Sequence, residues 1–568
     1  MMSAPVADVA LLLEGTFPYV RGGVSSWVDQ LIRAFPQQTF AVVFIGSRRE
    51  DYGAPVYDLP PNVTHFEAHY LYETASQDDT ATPSHHGALH TEGDARAFAQ
   101  VGEMHDLMRR RDAAGDERTG GTGGTGNDAL RQMLANLLPM LREGRELAQP
   151  QFLHSRAAWD FMTERYERHC LDPSFTDYFW TVRTMHKPLW QLARIADAMP
   201  PARMYHTVST GYAGLLGALL RFSTGRPLLV SEHGSYTKER KLDLLQSEWL
   251  RDNRGVLERD ISQVGYFQNL WMRFFETIGR VCYDAADDIV ALFEGNRQRQ
   301  LADGAPAHKT RNIANGVDVA RFAALRVRRR GDPNASDASD VSSVSSASSA
   351  SSVSGVSGVS GTSGDPSDAD RADIPPVVAL VGRVVPVKDI KTFLRAIFIA
   401  YRHRPDVQGW IIGPETEDPA YAQECRDVAA SLGMEYQVRF MGYRPVETVL
   451  PHIGVLALSS VSEALPLVVL EAAAAGVPVV TTDVGACRHL IEGDATLEGD
   501  CELGHAGRVV PIADPEALAA AIVDVLEPDV WHAASRAGMA RVERYYTHDA
   551  MCDAYRGLYR RLLAGSAD

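Results

Sequence analysis

The chain is poor in cysteine, in positive charge and in long apolar runs, and each deficit excludes something. Its six cysteines (Cys170, Cys282, Cys425, Cys487, Cys501 and Cys552) are scattered through 568 residues. They have neither the density of a disulfide framework nor the spacing of a metal site, which fits a reducing cytosol. Apolar stretches such as residues 213–220 are too short to span a bilayer, so any association with a membrane is expected to need a partner protein. The first residues lack a cationic segment followed by an apolar core and a cleavage site, and no signal peptide is expected. Lys and Arg number 56 against 73 Asp and Glu, and the net charge of -17 argues against a nucleic-acid scaffold. A dinucleotide fingerprint, G-x-G-x-x-G, is missing from the first glycine-bearing loop.

What is present is a soluble globular composition, 45% apolar, long enough for two to four domains. The most informative stretch is residues 459–480, SSVSEALPLVVLEAAAAGVPVV. It reads as the end of a strand (455–458), a polar loop, a helix and a second strand. Pro466 suits the first helical turn, where its missing N–H is not needed, and Gly476 suits the C-terminal stop. From Leu467 to Ala475 only Glu471 is polar. A helix apolar on every side is a buried one, and a carboxylate within it needs partners. Glu463 lies just outside the helix N-terminus. The helical rise puts the two carboxylates roughly 12 Å apart, the span of a nucleotide-sugar from ribose to sugar, with the diphosphate at the helix N-terminus between them.

Upstream, residues 6–13 read as a strand, followed by a loop carrying Gly22 and Gly23 and a helix over 24–35. This is the opening of a doubly wound α/β domain. The two glycines let backbone approach a phosphate or sugar, although a plain turn uses glycine in the same way. A second strand is expected at 40–45. Residues 76–127 read as a solvated insertion with a glycine-threonine run at 119–126; its His85 and His86 have no matching ligands, so no metal is expected. Helical periodicity is expected over 130–147 and 159–167, and Tyr178, Phe179, Trp180 and Trp190 are expected to pack a core.

Strands resume at 204–208 and 228–236. Ligands of open parallel sheets bind beyond the carboxyl ends of strands, which singles out His206 and His233, with a packed structural histidine as the alternative. After a basic cluster at 326–330, residues 332–373 are nearly all Ser, Gly, Ala, Val and Asp. Such a composition cannot bury enough apolar surface to order itself. A second α/β domain opens with the strand 377–382. Beyond it emerge Arg383, a bidentate fork for phosphate, and Lys388, a point charge, ahead of a helix over 390–401.

These residues carry a resemblance. Gly382-Arg383 with Lys388-Asp389, Glu463 followed by Glu471, and Gly476-Val477-Pro478 together resemble the retaining family-4 glycosyltransferases of the GT-B fold. The loop residues 14–27, the loop 209–214 and Glu232-His233-Gly234 resemble, more narrowly, the cytosolic glycosyltransferases of bacterial Pel exopolysaccharide synthesis. The resemblance implies two Rossmann-like doubly wound domains facing a central cleft, with low-complexity insertions. The first would span residues 1–315, the second 316–545, and a C-terminal helix over 546–568 would cross back to the first.

It also implies a UDP-sugar donor, a polysaccharide acceptor, partner proteins of an inner-membrane synthesis complex and no cofactor or metal. Glu471 would accept from the ribose hydroxyls, and Glu463, with Ala464 and Leu465, would contact the donor. Arg383 and Lys388 would stabilise the leaving diphosphate, Gly22 and Gly23 would lie against it, and His233 would lie near the sugar. His206, Tyr212 and Tyr236 are the acceptor-side candidates. An α-glucan glucosyltransferase, a sugar-nucleotide epimerase and a nucleotide-binding assembly subunit stay open as alternatives; analysis of products separates them.

Overall fold

The structure, a computed structural model, describes residues 7–72, 91–110, 136–170, 174–246, 265–329 and 374–565. The Ser/Gly-rich stretch at 332–373, the glycine-threonine run and His85-His86 lie outside the described residues. The chain divides into two compact units, Met1–Ile313 with Ala554–Asp568, and Ala314–Asp553.

Unit 1 is built on seven strands: β1 (Ala7–Glu14), β2 (Phe40–Gly46), β3 (Val63–Tyr70), β4 (Ala202–Thr207), β5 (Leu228–Glu232), β6 (Asp288–Ala291) and β7 (Thr310–Asn312). All pair in parallel, in the order β3-β2-β1-β4-β5-β6-β7. Every residue of β2 is buried, as the interior of a sheet covered on both faces requires. The order reverses between β1 and β4, so the carboxyl ends of these strands flank the crevice where a ligand of such a sheet binds.

Unit 2 repeats the plan with β8 (Val377–Val381), β9 (Gln408–Ile412), β10 (Val438–Phe440), β11 (Val455–Leu458), β12 (Val479–Thr482) and β13 (Gly507–Val510). These also pair in parallel, in the order β10-β9-β8-β11-β12-β13, with the reversal between β8 and β11. Its helix Leu467–Ala474 buries Val469, Leu470, Ala472, Ala473 and Ala474, as a run apolar at every position but Glu471 required. Pro466 sits immediately before the first helical turn rather than within it. The unit is pinned by Arg541, whose Nε donates to Asp500 Oδ1 at 2.6 Å, with side chains 1% and 0% exposed.

Three expectations are corrected. Residues 76–127 are not wholly a solvated excursion, because Ala95–Arg110 form a helix whose Ala97, Phe98, Val101 and Met104 are buried in the core of unit 1. Phe98 packs against Phe152 and Phe161, and Arg165 reaches across to Asp106 at 2.5 Å. The periodicity over 130–147 yields, in its described part, a short 3-10 turn at Leu138–Leu141 and then turns, since Pro139, Gly144 and the charges between them favour a bend. Of the four aromatics expected in the core, Tyr178 and Trp190 are buried, whereas Trp180 is 51% exposed. Among the described residues no helix is long and apolar enough to cross a membrane.

Candidate active site

In unit 2 the carboxyl ends of β8 and β11 bring Lys388 and Glu463 together. Lys388 Nζ donates to Glu463 Oε1 at 2.5 Å, and Ser460 Oγ donates to the same oxygen at 2.7 Å. The two charged side chains are 17% and 12% exposed. The loops that carry them are fastened to each other: Ser459 Oγ donates to the carbonyls of Lys388 and Asp389, and Val461 N donates to Val387 O. Thr482 Oγ1, at the end of β12, donates to Ser460 O at 2.6 Å. Gly485, at φ +56°, presses against the carbonyls of Glu463 and Ala464, where a Cβ would collide with both. Loop 459–466 is therefore held by backbone contacts, and Glu463 is aimed by them.

The other unit 2 candidates are distributed around this pair. Arg383 is not part of it, because its Nη1 donates to both carboxylate oxygens of Glu417 at 2.6 Å, on the surface. Leu465 contributes no exposed side chain, being 4% exposed, and its carbonyl accepts from Asn315 Nδ2 at 3.1 Å. Ala464 O accepts from Ala486 N at 2.7 Å. Glu471 is the distinctive group. Burial pushes its carboxyl up to about 7, opposed by the Arg321 charge, and none of the described residues hydrogen-bonds it. The helix it belongs to starts without a side-chain cap and without an acid in its first turn.

In unit 1 the crevice between β1 and β4 is bordered by Glu14. Its Oε1 accepts from Tyr236 OH at 2.9 Å, and its Oε2 accepts from Ala213 N at 3.2 Å. Arg240 lies over the Tyr236 ring at 5.2 Å and donates from Nε to its hydroxyl at 3.1 Å. The helix Gly23–Ala34 starts at Gly22 with no side-chain cap, and a Cβ on Gly22 would meet open space. That helix end offers its backbone N–H groups to an anion. His233, just beyond β5, is packed 4.3 Å from the Trp27 ring; its Nε2 is buried without a partner, and burial depresses the imidazole to about 3, keeping it neutral.

Two acceptor-side candidates are withdrawn. His206 is 0% exposed, with both ring nitrogens engaged, Nδ1 with Tyr559 OH at 2.7 Å and Nε2 with Ser231 Oγ at 2.8 Å. Tyr212 is 4% exposed at the start of a core helix, its hydroxyl facing that of Tyr72 at 3.5 Å. Sequence reasoning also missed Glu232. This buried carboxyl, raised by burial, accepts from Tyr283 OH, Thr210 Oγ1, Gln300 Nε2 and Tyr236 N. Glu14 and Glu232 share a signal that was readable: each is the last residue of a parallel strand, on the edge where ligands bind.

Two parallel-sheet Rossmann-like domains in one chain define the class as GT-B. The fold is shared with sucrose-phosphate synthase from Thermosynechococcus elongatus, at TM-score 0.52 and 17% identity over 98% of this chain and 100% of that one. A glycosyltransferase from Rickettsia africae matches at TM-score 0.50 and 12% identity, over 98% and 99%. Residues 7–308, more than half of the chain, match the family described as "Domain of unknown function (DUF3492)", and the chain belongs to that family. Residues 375–528 match "Glycosyl transferases group 1", so unit 2 carries a domain of that group.

The D-inositol 3-phosphate glycosyltransferase of Saccharomonospora viridis is 30% identical over 192 residues, covering 32% of this chain and 42% of the relative. The phosphatidyl-myo-inositol mannosyltransferase of Mycolicibacterium smegmatis is 31% identical over 166 residues, covering 28% and 38%. The chain thus spans about two fifths of the length of these curated relatives.

Proposed function

We propose that this chain is a retaining, metal-independent glycosyltransferase that moves a hexose or N-acetylhexosamine from a UDP-sugar onto a growing exopolysaccharide. The observation that carries the reading is Glu471, a half-buried carboxyl that no described residue hydrogen-bonds, in the same helix-and-loop unit as the Lys388–Glu463 pair at the unit 2 switch point. A carboxyl without a protein partner is matched by a ligand that brings hydroxyl groups, and a ribose brings two. Glu463 accepts from hydroxyls of the sugar. Lys388 and Arg383, with the uncapped end of helix Leu467–Ala474, take the charge of the departing diphosphate, the work a metal does elsewhere. Within unit 1, Gly22 and Gly23 present backbone N–H groups suited to a phosphate, and the neutral His233 is the sugar-side candidate. The acceptor oxygen bonds to the anomeric carbon on the face that the phosphate leaves; the bond to the phosphate breaks, and the acceptor's proton goes to the departing phosphate. The loop motifs 14–27 and 232–234 favour a role like that of PelF, recruited by partners to the inner membrane.

The test is calorimetric titration of the purified chain with UDP, UDP-glucose, UDP-N-acetylglucosamine and UDP-N-acetylgalactosamine, in the wild type and in Glu471→Ala. UDP binding weakened at least tenfold by the substitution supports the reading. Wild-type affinity in Glu471→Ala, or no nucleotide binding by the wild type, overturns it. The anomeric configuration of the product, read by proton coupling constants, decides retention.

A further inference from the structure

His233 is the sugar-side candidate of the proposed function, yet no described residue hydrogen-bonds its buried Nε2. Its orientation is set by packing, and the ring against it is Trp27, 63° from coplanar at 4.3 Å. Trp27 is 1% exposed and belongs to the helix whose first turn follows Gly22 and Gly23. Tyr555 packs against Trp27 at 5.3 Å, and Tyr559 packs against Phe35, at the other end of that helix, at 5.5 Å. The two tyrosines are one helical turn apart in the C-terminal helix His548–Ala564, so one face of it spans the glycine-loop helix. Their hydroxyls are fixed as well: Tyr555 OH donates to Ser231 Oγ at 3.1 Å, and Tyr559 OH and Ser231 Oγ hold the two nitrogens of His206. Ser231 lies two residues before His233 on the same strand end. All of these side chains except His233 are buried in the core of unit 1.

We propose that Trp27 is a positioning residue for His233, and that Tyr555 and Tyr559 form a C-terminal clamp that keeps Trp27 in place. The chain's last helix thereby sets the geometry of the sugar-side group, and its removal disables turnover rather than donor binding. This rests on the placement of His233 in the proposed site. The test uses the full chain with Tyr555→Leu and Tyr555→Phe. Steady-state kinetics are measured with whichever of the three UDP-sugars the wild type turns over. The His233 resonance is followed in protein labelled with 13C at histidine Cε1 and assigned by its loss in His233→Gln. Tyr555→Leu is expected to lower kcat about 10- to 100-fold while KM for the UDP-sugar changes by less than about twofold, with a displaced His233 line. Tyr555→Phe, which keeps the ring, is expected to recover most of the loss. An unmoved His233 line with wild-type kcat overturns the proposal, as does a loss confined to KM. If the leucine variant does not fold, Trp27→Phe is read in the same two ways. A wild type that turns over no UDP-sugar defeats the functional reading, and the His233 line alone then decides the clamp.

Discussion

Lys388 Nζ lies 2.5 Å from Glu463 Oε1, with both side chains mostly out of solvent at the carboxyl ends of β8 and β11. In the proposed function the cation of this pair meets phosphate and the anion meets hydroxyls. Removing one partner leaves the other buried and uncompensated. Lys388→Met is therefore expected to destabilise unit 2 by about 3 kcal/mol, and Glu463→Gln added to it is expected to recover part of the loss. Urea unfolding of the two single variants and the double variant measures the coupling, and simple additivity contradicts it.

Arg383 gives the opposite pattern. Its guanidinium and Glu417 are 40% and 45% exposed, and an ion pair so open to solvent contributes at most about 1 kcal/mol. Arg383→Ala should leave the melting temperature nearly unchanged. Turnover of the UDP-sugar should fall about 100-fold, because charge that develops on the diphosphate loses its fork-shaped donor. A stability scan beside kcat on the same preparation checks both halves; wild-type turnover contradicts the role.

Glu471 makes stability depend on pH. Its carboxyl titrates near 7 in the folded chain against an ordinary 4.5, because burial disfavours the charged form. A folded pKa raised above the unfolded one contributes stability that is complete below about 4.5 and is lost as pH rises through about 7. Between pH 5 and pH 8 the wild type should therefore lose up to about 3 kcal/mol that Glu471→Gln retains. Denaturant unfolding of both proteins at the two pH values measures this, and parallel pH profiles would refute it.

Much of unit 2 was legible because its signals are local. The strand at 455–458 appears with the same bounds, and the apolar run after Pro466 could only be a buried helix. Lys388 and Glu463 were both named, but that they meet was not readable, since 75 residues separate them and only the β8–β11 adjacency joins them. Arg383 shows the converse: its partner Glu417 lies on another loop, and charge alone does not reveal which anion a surface arginine has already taken. In unit 1 the strands were readable but not their exact ends, since β5 stops at Glu232 and not at 236, and the depth of the side chains was not readable. His206 and His233 have the same sequence signature, yet Tyr559, from the far end of the chain, satisfies one and leaves the other. Helix Ala95–Arg110 was hidden by the composition on either side of it.

Gly211 offers a test of the unit 1 crevice that leaves unit 2 untouched. It precedes the helix Tyr212–Thr224, and a Cβ there would run into the Tyr236 ring and the Glu14 carboxylate. Neither neighbour is the free end of a flexible chain: Tyr236 is bonded to Glu14 and covered by Arg240, and Glu14 is also held by Ala213 N. Gly211→Ala must therefore push Tyr236 out of its seat, at a cost of about 1–3 kcal/mol. Because Tyr236 N also donates to Glu232, the displacement reaches the strand end that carries His233. On the proposed function the variant should bind UDP nearly as the wild type does, since Gly211 is remote in sequence from Gly22, Gly23, Lys388 and Glu471, and should lose turnover about tenfold or more. Calorimetry with UDP and initial-rate kinetics on the same variant separate the two effects. Equal losses in both would mean that the crevice around Glu14 and Tyr236 supports folding alone.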